Sequence, residues 1–575
     1  MNKIYYTLIL STFYFLTVFS QRPVLRNGFP IIVDSLNFAA SQPVIVDIDE
    51  DGSEDIIVSK NSPPYLIFVY NLNGEILDGW PQSVDRGTFR ITAGDIDGDG
   101  HIEIIARTTI SIFVFKKNGS LVTGFPQTFA TSWDSMGIHS VLLFDCHSNN
   151  TLDIVTTNSN RVFMYHNDGT VHPNWPVVLH GRTALMPATG DINIDGEPEL
   201  IVSSFRVNPV TGIDSGWIYV LSKEGNNLPG WPMFLDSHYV NFTSPTLVDI
   251  NNDDSLEIVL ESHYRFAGHT NSIGKMNIFS PSGKLLKKWY NSVATFSSKE
   301  FGETAVADIN GDDVVEIATS DRELNNFIFD INGNNLPGWP VSLYQYMPPK
   351  FVDITNDSIP EVFINDNQST FPADSGKIHC LNIYGQEFSW SPFRVYGNTG
   401  VDQPIFSDMD NDGSTEMVLL PSVFGNFDGY ALSVYTFPGA NFTAKGSPWP
   451  QLEHDRHNTY QFGYVPSDNV VGIAVAVSSV PEQFSLKQNY PNPFNPQTAI
   501  GFSLLAIGNV TLKVYDVLGR EIATLLNNET MQAGKHAVNF NVETFHGTSL
   551  PSGVYFYRLS VDGKFSETKK LVLMK

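Results

Sequence analysis

Residues 47–55 read DIDEDGSED, and close variants of this acidic phrase return seven more times along the 575-residue chain. The other copies are DIDGDGHIE at 95, DCHSNNTLD at 145, DINIDGEPE at 191, DINNDDSLE at 249, DINGDDVVE at 308, DITNDSIPE at 353 and DMDNDGSTE at 408. Their mean period is about 52 residues, close to a kelch repeat of roughly 50 residues and longer than a WD40 repeat. Eight copies in phase predict a repeat architecture, since one repeat alone is too small to bury its apolar face.

Each repeat unit carries the pattern of four strands. One apolar run precedes the acidic phrase and another follows it, as in PVIV before Asp47 and IIVS after Asp55, which predicts two strands joined by an acidic turn. A third run leads to a hairpin glycine, Gly74 in the first unit, and a fourth leads to an aromatic residue, here Trp80. Four antiparallel strands make a propeller blade. We therefore expect an all-β protein, a β-propeller of eight blades, or of seven if one unit is dismantled to close the ring.

The acidic turns place oxygen-bearing side chains at positions one, three, five and nine. In the first copy these are Asp47, Asp49, Asp51 and Asp55, and Gly52 permits the sharp bend. Ca²⁺ takes about 6 to 8 oxygen ligands, so the turn can wrap one ion, with position seven adding a backbone carbonyl. The alternative is an Asx-turn without metal, which needs one polar residue. Because eight aligned copies retain more oxygens than such a turn needs, they favour structural Ca²⁺ as the cofactor, at several sites.

Six turns retain an oxygen donor at all four positions, and the ligands predicted for them are the side chains at positions one, three, five and nine. These are Asp47, Asp49, Asp51, Asp55, Asp95, Asp97, Asp99, Glu103, Asp191, Asn193, Asp195, Glu199, Asp249, Asn251, Asp253, Glu257, Asp308, Asn310, Asp312, Glu316, Asp408, Asp410, Asp412 and Glu416. Turns three and seven carry His147 and Thr355 at position three, and we expect them to hold no calcium.

The repeat resembles the FG-GAP or VCBS family, whose members include the integrin α-chain propeller with its calcium-bearing D-x-D-x-D-G turns. The resemblance covers about residues 40–450. It implies the propeller fold and the metal much more firmly than it implies a ligand, because one fold hosts many functions.

The segments on either side of the repeats suggest how the ring closes. NGFP at residues 27–30 stands at the usual spacing from a blade aromatic to the next acidic turn, so the N-terminal strand is expected to complete the last blade; the competing interpretation is a loose arm. HDRHNTY follows Trp449, and its two histidines, His454 and His457, are weak evidence for zinc. We expect these histidines to serve closure of the ring.

Composition limits the partners and the compartment. The formal net charge is −27, with 34 Lys and Arg against 61 Asp and Glu, which argues against nucleic acid, whose binding needs clustered cationic side chains. Cys146 and Cys380 are too few and too far apart to hold the fold as disulfides, and buried thiols are expected. Lys3, the apolar run at residues 5–19 and Ser20 follow the order of a signal peptide, which predicts export. No segment predicts a transmembrane helix.

The C-terminal region changes in composition after a Val-, Ala- and Ser-rich stretch. YPNPFNP, VYDVLGRE, LPSGVYFYRL and TKKLVLMK alternate strands with turns, which predicts a small β-sandwich. In this order they closely resemble the type A C-terminal sorting domain of the type IX secretion system. The resemblance implies passage through the periplasm to the outer surface or the medium, with that machinery as a partner. The predicted domains are a signal peptide at 1–20, the propeller at 21–465, a linker at 466–480 and the sorting domain at 481–575.

The predicted function is that of a secreted or surface-exposed binding or adhesion module for a glycan or a protein, acting as a monomer. Long connections between the second and third strands emerge opposite the acidic turns, and such insertions often carry function. The candidate residues there are Arg206, His263, Tyr264, Arg265 and His269. The alternative is a secreted polysaccharide lyase or hydrolase that uses the same residues. Binding is favoured over catalysis because no nucleophile elbow, zinc-protease or phosphate-loop motif occurs.

Overall fold

In the computed structural model the chain divides into two compact units, residues 1–472 and 473–575. The structure describes residues 22–573 apart from 35–41, 130–140, 148, 184–185, 208–213, 236–237, 240–243, 252, 266–271, 291–303, 313, 322–324, 344–347, 367–374, 398–402, 424–428, 444–446, 448, 451–453, 456, 460, 462–484, 488, 490–491, 493, 495–496, 505–507, 532–533, 543–549 and 563. The predicted signal peptide, the predicted linker and His269 lie outside the described residues.

Eight antiparallel sheets follow one another in the described part of the first unit, one for each acidic phrase. Blade one contains β3 (Val44–Val46), β4 (Asp55–Lys60), β5 (Leu66–Tyr70) and β6 (Gln82–Ser83). Blade two contains β7 (Thr88–Gly94), β8 (Glu103–Thr108), β9 (Ser111–Phe115) and β10 (Gln127–Thr128). Blade three contains β11 (Val141–Phe144), β12 (Asp153–Asn158), β13 (Arg161–Tyr165) and β14 (Val177–Val178). Blade four contains β15 (Arg182–Thr183), β16 (Ala188–Gly190), β17 (Glu199–Val207), β18 (Asp214–Leu221) and β19 (Met233–Leu235).

The second half of the ring repeats this plan. Blade five contains β20 (His238–Tyr239), β21 (Thr246–Val248), β22 (Glu257–Arg265), β23 (Ser272–Phe279) and β24 (Leu285–Tyr290). Blade six contains β25 (Ala305–Ala307), β26 (Glu316–Ser320), β27 (Asn325–Phe329) and β28 (Val341–Ser342). Blade seven contains β29 (Lys350–Val352), β30 (Glu361–Asp366), β31 (Ser375–Leu381) and β32 (Phe393–Tyr396). Blade eight contains β33 (Ile405–Ser407), β34 (Thr415–Leu419), β35 (Ser422–Val423) and β36 (Gly429–Phe437), joined by β1 (Val24–Leu25) and β2 (Ile31–Asp34).

The N-terminal strands close the ring, which confirms the expectation from NGFP. Strand β1 pairs with β36 through Val24 and Thr436, and β2 continues along the same strand. Blade eight therefore takes its outer strands from the start of the chain. Ile56 of blade one shares a buried cluster with Val418 and Leu432 of blade eight, so the first and last blades also pack face to face.

The core lies between neighbouring blades. All six residues of β8 and of β12 are buried, because the preceding blade covers one face of each sheet and the following blade covers the other. Burial of consecutive residues, without the alternation of a sheet that has one face in water, is typical of sheets covered on both sides. Blade contacts are also made at the Gly-Trp-Pro phrases: Trp80 donates its indole N–H to Lys117 O of the next blade at 3.1 Å. A Cβ on Gly79 would collide with the Asn118 carbonyl, so this close approach requires glycine.

A segment after the last blade crosses the strands that precede the acidic turns. Its contacts are a bridge of Trp449 to Phe351, hydrogen bonds from Phe406 N to Pro450 O, Leu143 N to His457 O and Thr189 N to Thr459 O, and a bridge of Gln461 to Leu247. It therefore touches blades three, four, five, seven and eight. His454 and His457 are buried in it, which agrees with a role in closure.

The second unit is a β-sandwich, as predicted. Its sheets contain β37 (Ser485–Leu486), β38 (Gln497–Leu504) and β41 (Gly534–Asn541), and β39 (Gly508–Tyr515), β40 (Glu521–Met531), β42 (Gly553–Val561) and β43 (Phe565–Leu573). Alternate residues of the strands build the core, among them Leu512, Tyr557 and Leu571. Asn492 of the YPNPFNP phrase accepts a hydrogen bond from Val572 N at 2.8 Å, which holds the start of the domain to its last strand.

Both cysteines are buried free thiols, as expected from the sequence. Among the residues that the structure describes, none belongs to a helix with the length and apolarity needed to cross a membrane.

Candidate metal centres and ligand surface

The acidic turns are built by their first aspartate. In turn one, Asp47 accepts hydrogen bonds from Asp51 N at 3.2 Å and from Gly52 N at 3.0 Å. Gly52 adopts a φ of +94°, a left-handed conformation that glycine takes without strain. Asp49 also accepts a bond from Asp51 N, at 3.2 Å. The backbone amides therefore hold the carboxylates of positions one and three on the inside of the turn.

Position nine brings a buried carboxylate to the same point. Asp55 begins β4, is 2% exposed, and accepts a hydrogen bond from Ile48 N at 2.9 Å with Oδ2. Its equivalents make the same bond to the residue at position two: Glu103 with Ile96, Glu199 with Ile192, Glu257 with Ile250, Glu316 with Ile309, Glu361 with Ile354 and Glu416 with Met409. One oxygen of each carboxylate remains directed at the turn.

Three turns gather carboxylates closely enough for one cation. One oxygen from each of Asp47, Asp49 and Asp55 lies within 4.8 Å of the others in turn one. The same holds for Asp95, Asp97 and Asp99 in turn two, and for Asp408, Asp410 and Glu416 in turn eight. These are the turns in which all four positions are acidic, and clustered carboxylates are the ligands that Ca²⁺ prefers.

The asparagine-bearing turns are arranged differently. Asn193, Asn251 and Asn310 each donate Nδ2 to the position-nine glutamate at 2.9–3.1 Å. The amide N–H thus takes the place that a cation would have beside that carboxylate. In turn seven the hydroxyl of Thr355 fills this role toward Glu361 at 3.2 Å. The predicted ligands of turns four, five and six are therefore brought together, with the amide nitrogen facing the glutamate.

Turn eight has a partner that sequence reasoning missed. Arg26, from the N-terminal segment, lies 2.6 Å from Asp410 Oδ2 and 3.7 Å from Glu416 Oε1. Oδ1 of Asp408 and Oδ1 of Asp410 are buried and accept no hydrogen bond from a described residue. The guanidinium thus neutralises part of the cluster and leaves two acceptor oxygens for a further cation. No local pattern could reveal a contact between residues so far apart in sequence.

Burial controls the protonation of these carboxyls. It raises the pKa of Asp55 to about 7 and of Glu103 to about 8, with neighbouring aspartates adding to the effect. It also raises the pKa of Glu416 to about 7, which the nearby Arg26 partly opposes. A cation would reverse this effect, since opposite charge favours the ionised form.

Turn three replaces calcium-type ligands with sulfur and nitrogen. Cys146 Sγ donates to Asp153 Oδ2 at 2.6 Å, and His172 Nε2 donates to Asp153 Oδ1 at 2.6 Å. Burial raises the pKa of the Cys146 thiol and lowers that of the His172 imidazole. The absence of calcium from this turn stays a prediction, and the sulfur and nitrogen donors are the observation that favours it.

Arg206, His263, Tyr264 and Arg265, the described candidates on the opposite face, lie on strands, so their expected position in loops is wrong. Strands β17 and β22 extend to Val207 and Arg265, because they pair with β18 and β23 along their whole length. Arg206 is exposed, whereas His263 is fully buried within its sheet. Tyr264 also lies on β22. The five residues thus do not form one exposed group.

Blade four exposes an aromatic surface that sequence reasoning missed. Trp217 packs against Phe234 with ring centroids 5.3 Å apart and against His180 at 5.8 Å. Phe234 is 52% exposed, His180 is exposed and Trp217 is half-buried. Tyr219 beneath them holds His180 through its hydroxyl at 2.9 Å. The rings lie on three separate segments, so no sequence window brings them together; the signal is an aromatic pair, Trp217 and Phe234, on the adjacent strands β18 and β19.

Comparison with known families matches two parts of the chain. The FG-GAP-like repeat matches residues 47–106, which contain turns one and two. The secretion system C-terminal sorting domain matches residues 488–574. No curated protein matches the chain.

Among solved structures, the biofilm matrix protein Bap1 of V. cholerae is 13% identical, with a TM-score of 0.40, over 78% of this chain and 97% of its own. BamB from Moraxella catarrhalis is 14% identical, with a TM-score of 0.41, over 71% of this chain and 100% of its own. A quinohemoprotein alcohol dehydrogenase from Pseudomonas putida HK5 is 10% identical, with a TM-score of 0.42, over 73% of this chain and 76% of its own. Likenesses at this level do not indicate a ligand or an activity.

The repeated four-stranded sheets and the two family matches agree with one another. The sorting domain indicates secretion and attachment at the outer cell surface. The chain is an all-β protein whose repeated four-stranded sheets form a β-propeller; residues 47–106 match the FG-GAP-like repeat, and residues 488–574 match the secretion system C-terminal sorting domain.

Proposed function

We propose that this chain is a calcium-stabilised propeller that binds a glycan outside the cell. In this proposal residues 1–20 direct the chain into the periplasm, and the type IX machinery carries it across the outer membrane. N-terminal sequencing of the protein recovered from the cell surface or medium tests the first step. A mature chain that begins just after residue 20 is expected. A mature chain that retains residues 1–20 would contradict the proposal that these residues are a signal peptide.

The aromatic surface of blade four carries the binding proposal. His180 and Phe234 are exposed on either side of the half-buried Trp217, which lies on β18 and pairs with Phe234 of β19. Aromatic rings combine a large apolar face with a small conformational cost, and they dominate many binding surfaces. The apolar faces of sugar rings pack against such side chains. Arg206 is exposed on the neighbouring strand and can donate to sugar hydroxyl or carboxylate groups.

The test is a glycan array probed with the purified full chain, followed by titration of the best glycan. Trp217→Ala should weaken binding by about tenfold or more, since a central tryptophan often contributes over 1.4 kcal/mol. Phe234→Ala should weaken it less, because Phe234 lies at the exposed edge of the group. Tyr384→Ala is the matched control, an aromatic residue 55% exposed in a hairpin turn of blade seven.

Equal loss of binding in the Tyr384 and Trp217 variants would contradict the assignment to blade four. Binding to proteins alone, with no glycan retained, would contradict the ligand class. Release of new reducing or unsaturated ends from a bound polysaccharide would favour the lyase or hydrolase alternative over simple binding.

The calcium part of the proposal rests on the convergence of carboxylates in turns one, two and eight. A ligand that binds the folded chain and not the unfolded chain stabilises it by RT ln(1 + [L]/Kd). Adding Ca²⁺ at about 100 times its Kd should therefore add about 2.7 kcal/mol per site. A melting curve that is the same in excess chelator and in Ca²⁺ would overturn the proposal that the turns bind calcium. The glycan assay is repeated under both conditions, so the two parts of the proposal can fail separately.

A further inference from the structure

Turn three differs from the other seven turns in a concerted way. Position two is apolar elsewhere and is cysteine here, Cys146; the other residues are Ile48, Ile96, Ile192, Ile250, Ile309, Ile354 and Met409. The third residue after the hairpin glycine is also apolar elsewhere and is histidine here, His172; the others are Leu77, Val122, Leu228, Leu286, Leu336, Phe388 and Phe442. Position three adds His147 where other repeats have Asp, Asn or Thr. Three changes to sulfur and nitrogen donors in one repeat are more than drift at a single position.

The fold brings these three side chains together. His147 Nδ1 lies 2.8 Å from Cys146 Sγ, and one ligand atom from each of Cys146, His147 and His172 lies within 4.8 Å of the others. Cys146 and His172 are 1% and 4% exposed. The cysteine follows β11, whereas His172 comes from the hairpin after β13, so the site joins two turns at one end of blade three.

Asp153 supplies a fourth donor from position nine. It shares one proton with Cys146 Sγ and another with His172 Nε2, each across 2.6 Å. A metal ion would take the place of the thiol proton, and it would bind the Nε2 lone pair of His172 in the tautomer that carries its proton on Nδ1. His166 stacks on His172 with ring centroids 3.5 Å apart, and its Nδ1 lies 3.6 Å from Asp153 Oδ1, so it supports the ring of His172 from outside.

This donor set suits a different metal from that of the other turns. Ca²⁺ takes oxygen ligands, whereas thiolate and imidazole bind Zn²⁺ and related transition metals. Zinc bonds are about 2.3 Å to sulfur and about 2.0–2.1 Å to nitrogen. Bonds of these lengths at the tetrahedral angle place ligand atoms roughly 3.3–3.8 Å apart, and the ligand atoms of Cys146, His147 and His172 lie within 4.8 Å of one another.

We propose that turn three is a transition-metal site, in which Cys146, His147, Asp153 and His172 bind Zn²⁺ or a chemically similar ion. Binding converts the thiol to a thiolate and releases its proton to solvent. The site would tie the turn to the neighbouring hairpin of blade three, in the place where the other repeats have an apolar contact.

Cobalt substitution tests this directly. The full chain, stripped of metal and kept reduced, is titrated with Co²⁺ in the presence of excess Ca²⁺, which occupies the carboxylate turns. We expect a thiolate-to-cobalt charge-transfer band and visible bands of tetrahedral cobalt, saturating at one ion per chain. Added Zn²⁺ should abolish both sets of bands.

Variants assign the bands to turn three. Cys146→Ser should remove the charge-transfer band, and His172→Leu, which restores the residue type of the other repeats, should weaken cobalt binding at least tenfold without unfolding the blade. Cys380→Ala removes the other thiol, buried in blade seven, and should leave the bands intact. No charge-transfer band in the parent chain, or a band that survives in the Cys146 variant, would overturn the proposal.

Discussion

At the scale of single residues, the chemistry of the propeller turns is decided by a buried carboxylate at position nine. Asp55 and Glu103 are almost completely buried, and each faces further aspartates of its own turn. A buried charge of this kind is costly unless a proton or a cation compensates it. The same position therefore couples stability to pH and to metal.

The calcium-free protein should lose stability as pH rises. The pKa of position-nine carboxyls is raised to about 7 or 8 in the folded chain, against about 4 in the unfolded chain. Between about pH 4 and pH 8 the folded state thus holds more protons than the unfolded state. The stability that the protonated position-nine carboxyls contribute is therefore complete at about pH 4 and is lost by about pH 8. The loss of stability is checked by measuring the melting temperature of chelator-dialysed protein from pH 5 to pH 8.

Calcium should reduce that loss, because a bound cation stabilises the ionised carboxylates. The control is the same pH series with saturating Ca²⁺. A calcium-free melting temperature that rises across the range would contradict the role of these groups.

Asp97→Asn separates the metal from the turn. Asp97 accepts a hydrogen bond from Asp99 N at 3.2 Å, and an asparagine oxygen can accept the same bond, so the turn should keep its shape. The loss of one charge should weaken calcium binding at turn two and reduce the calcium-induced rise in melting temperature. The melting temperature in chelator should not fall, because the new amide can donate to Glu103 as Asn310 does to Glu316.

Asp78→Asn is the matched control for that variant, because Asp78 is exposed and belongs to no acidic turn. It should leave the calcium response unchanged. If Asp97→Asn leaves the full response as well, turn two does not bind the ion.

At the scale of elements, neighbouring blades are held together by an aromatic residue that stands just before the fourth strand, as in blades one to four and blade six. Trp231 donates its indole N–H to Pro281 O of blade five at 2.8 Å, and Trp175 makes the same contact to Lys223 O at 2.9 Å. Phe125 occupies this position in blade two without a donor. The aromatic ring is thus the common feature, and the hydrogen bond is an addition to it.

Trp231→Phe should keep the packing and lose the hydrogen bond. The expected cost is about 1–2 kcal/mol of the free energy of unfolding, because the Pro281 carbonyl is left without its partner. The midpoint of urea denaturation measures it. Phe125→Leu in blade two serves as a comparison for loss of ring packing alone, and an unchanged midpoint for Trp231→Phe would show that the indole bond contributes nothing.

At the scale of the whole molecule, the ring closes between the two ends of the repeat region. Strands β1 and β2 cover β36, and Arg26 adds an ion pair to Asp410 at 2.6 Å. Closure of this kind covers the edge of the long strand β36 with two short strands, and a long exposed edge strand promotes association with other chains.

Removal of residues 22–34 from the mature chain should therefore lower the melting temperature and cause aggregation that depends on protein concentration. The melting curve gives the melting temperature, and light scattering recorded during the same heating at several protein concentrations measures the aggregation. Arg26→Gln is the milder variant: it keeps both strands and should lower stability only slightly, as expected for a partly exposed ion pair. A deletion variant that melts like the parent chain and stays monomeric would show that pairing of β1 and β2 with β36 neither stabilises the ring nor prevents association.

Much of this architecture could be read from local patterns. The period of the acidic phrase, the paired apolar runs and the hairpin glycines predict strands and turns, because hydrogen bonding and side-chain alternation are set by residues close in sequence. The phrases from YPNPFNP onward likewise predict the strands of the C-terminal sandwich. The limits appear at Arg206 and His263, which were expected in loops and lie on strands, since pairing along a long hairpin extends beyond the local apolar run.

By itself the sequence determined the eightfold repeat, the positions of its acidic turns and the separate C-terminal sandwich. Only the tertiary structure decided that Arg26 reaches Asp410, that Trp217 meets His180 and Phe234, and that Cys146 meets His172. The physical reason is that these contacts join segments whose approach depends on sheet pairing within a blade and on closure of the ring. The identity of each side chain is local information, whereas its neighbours across the fold are not.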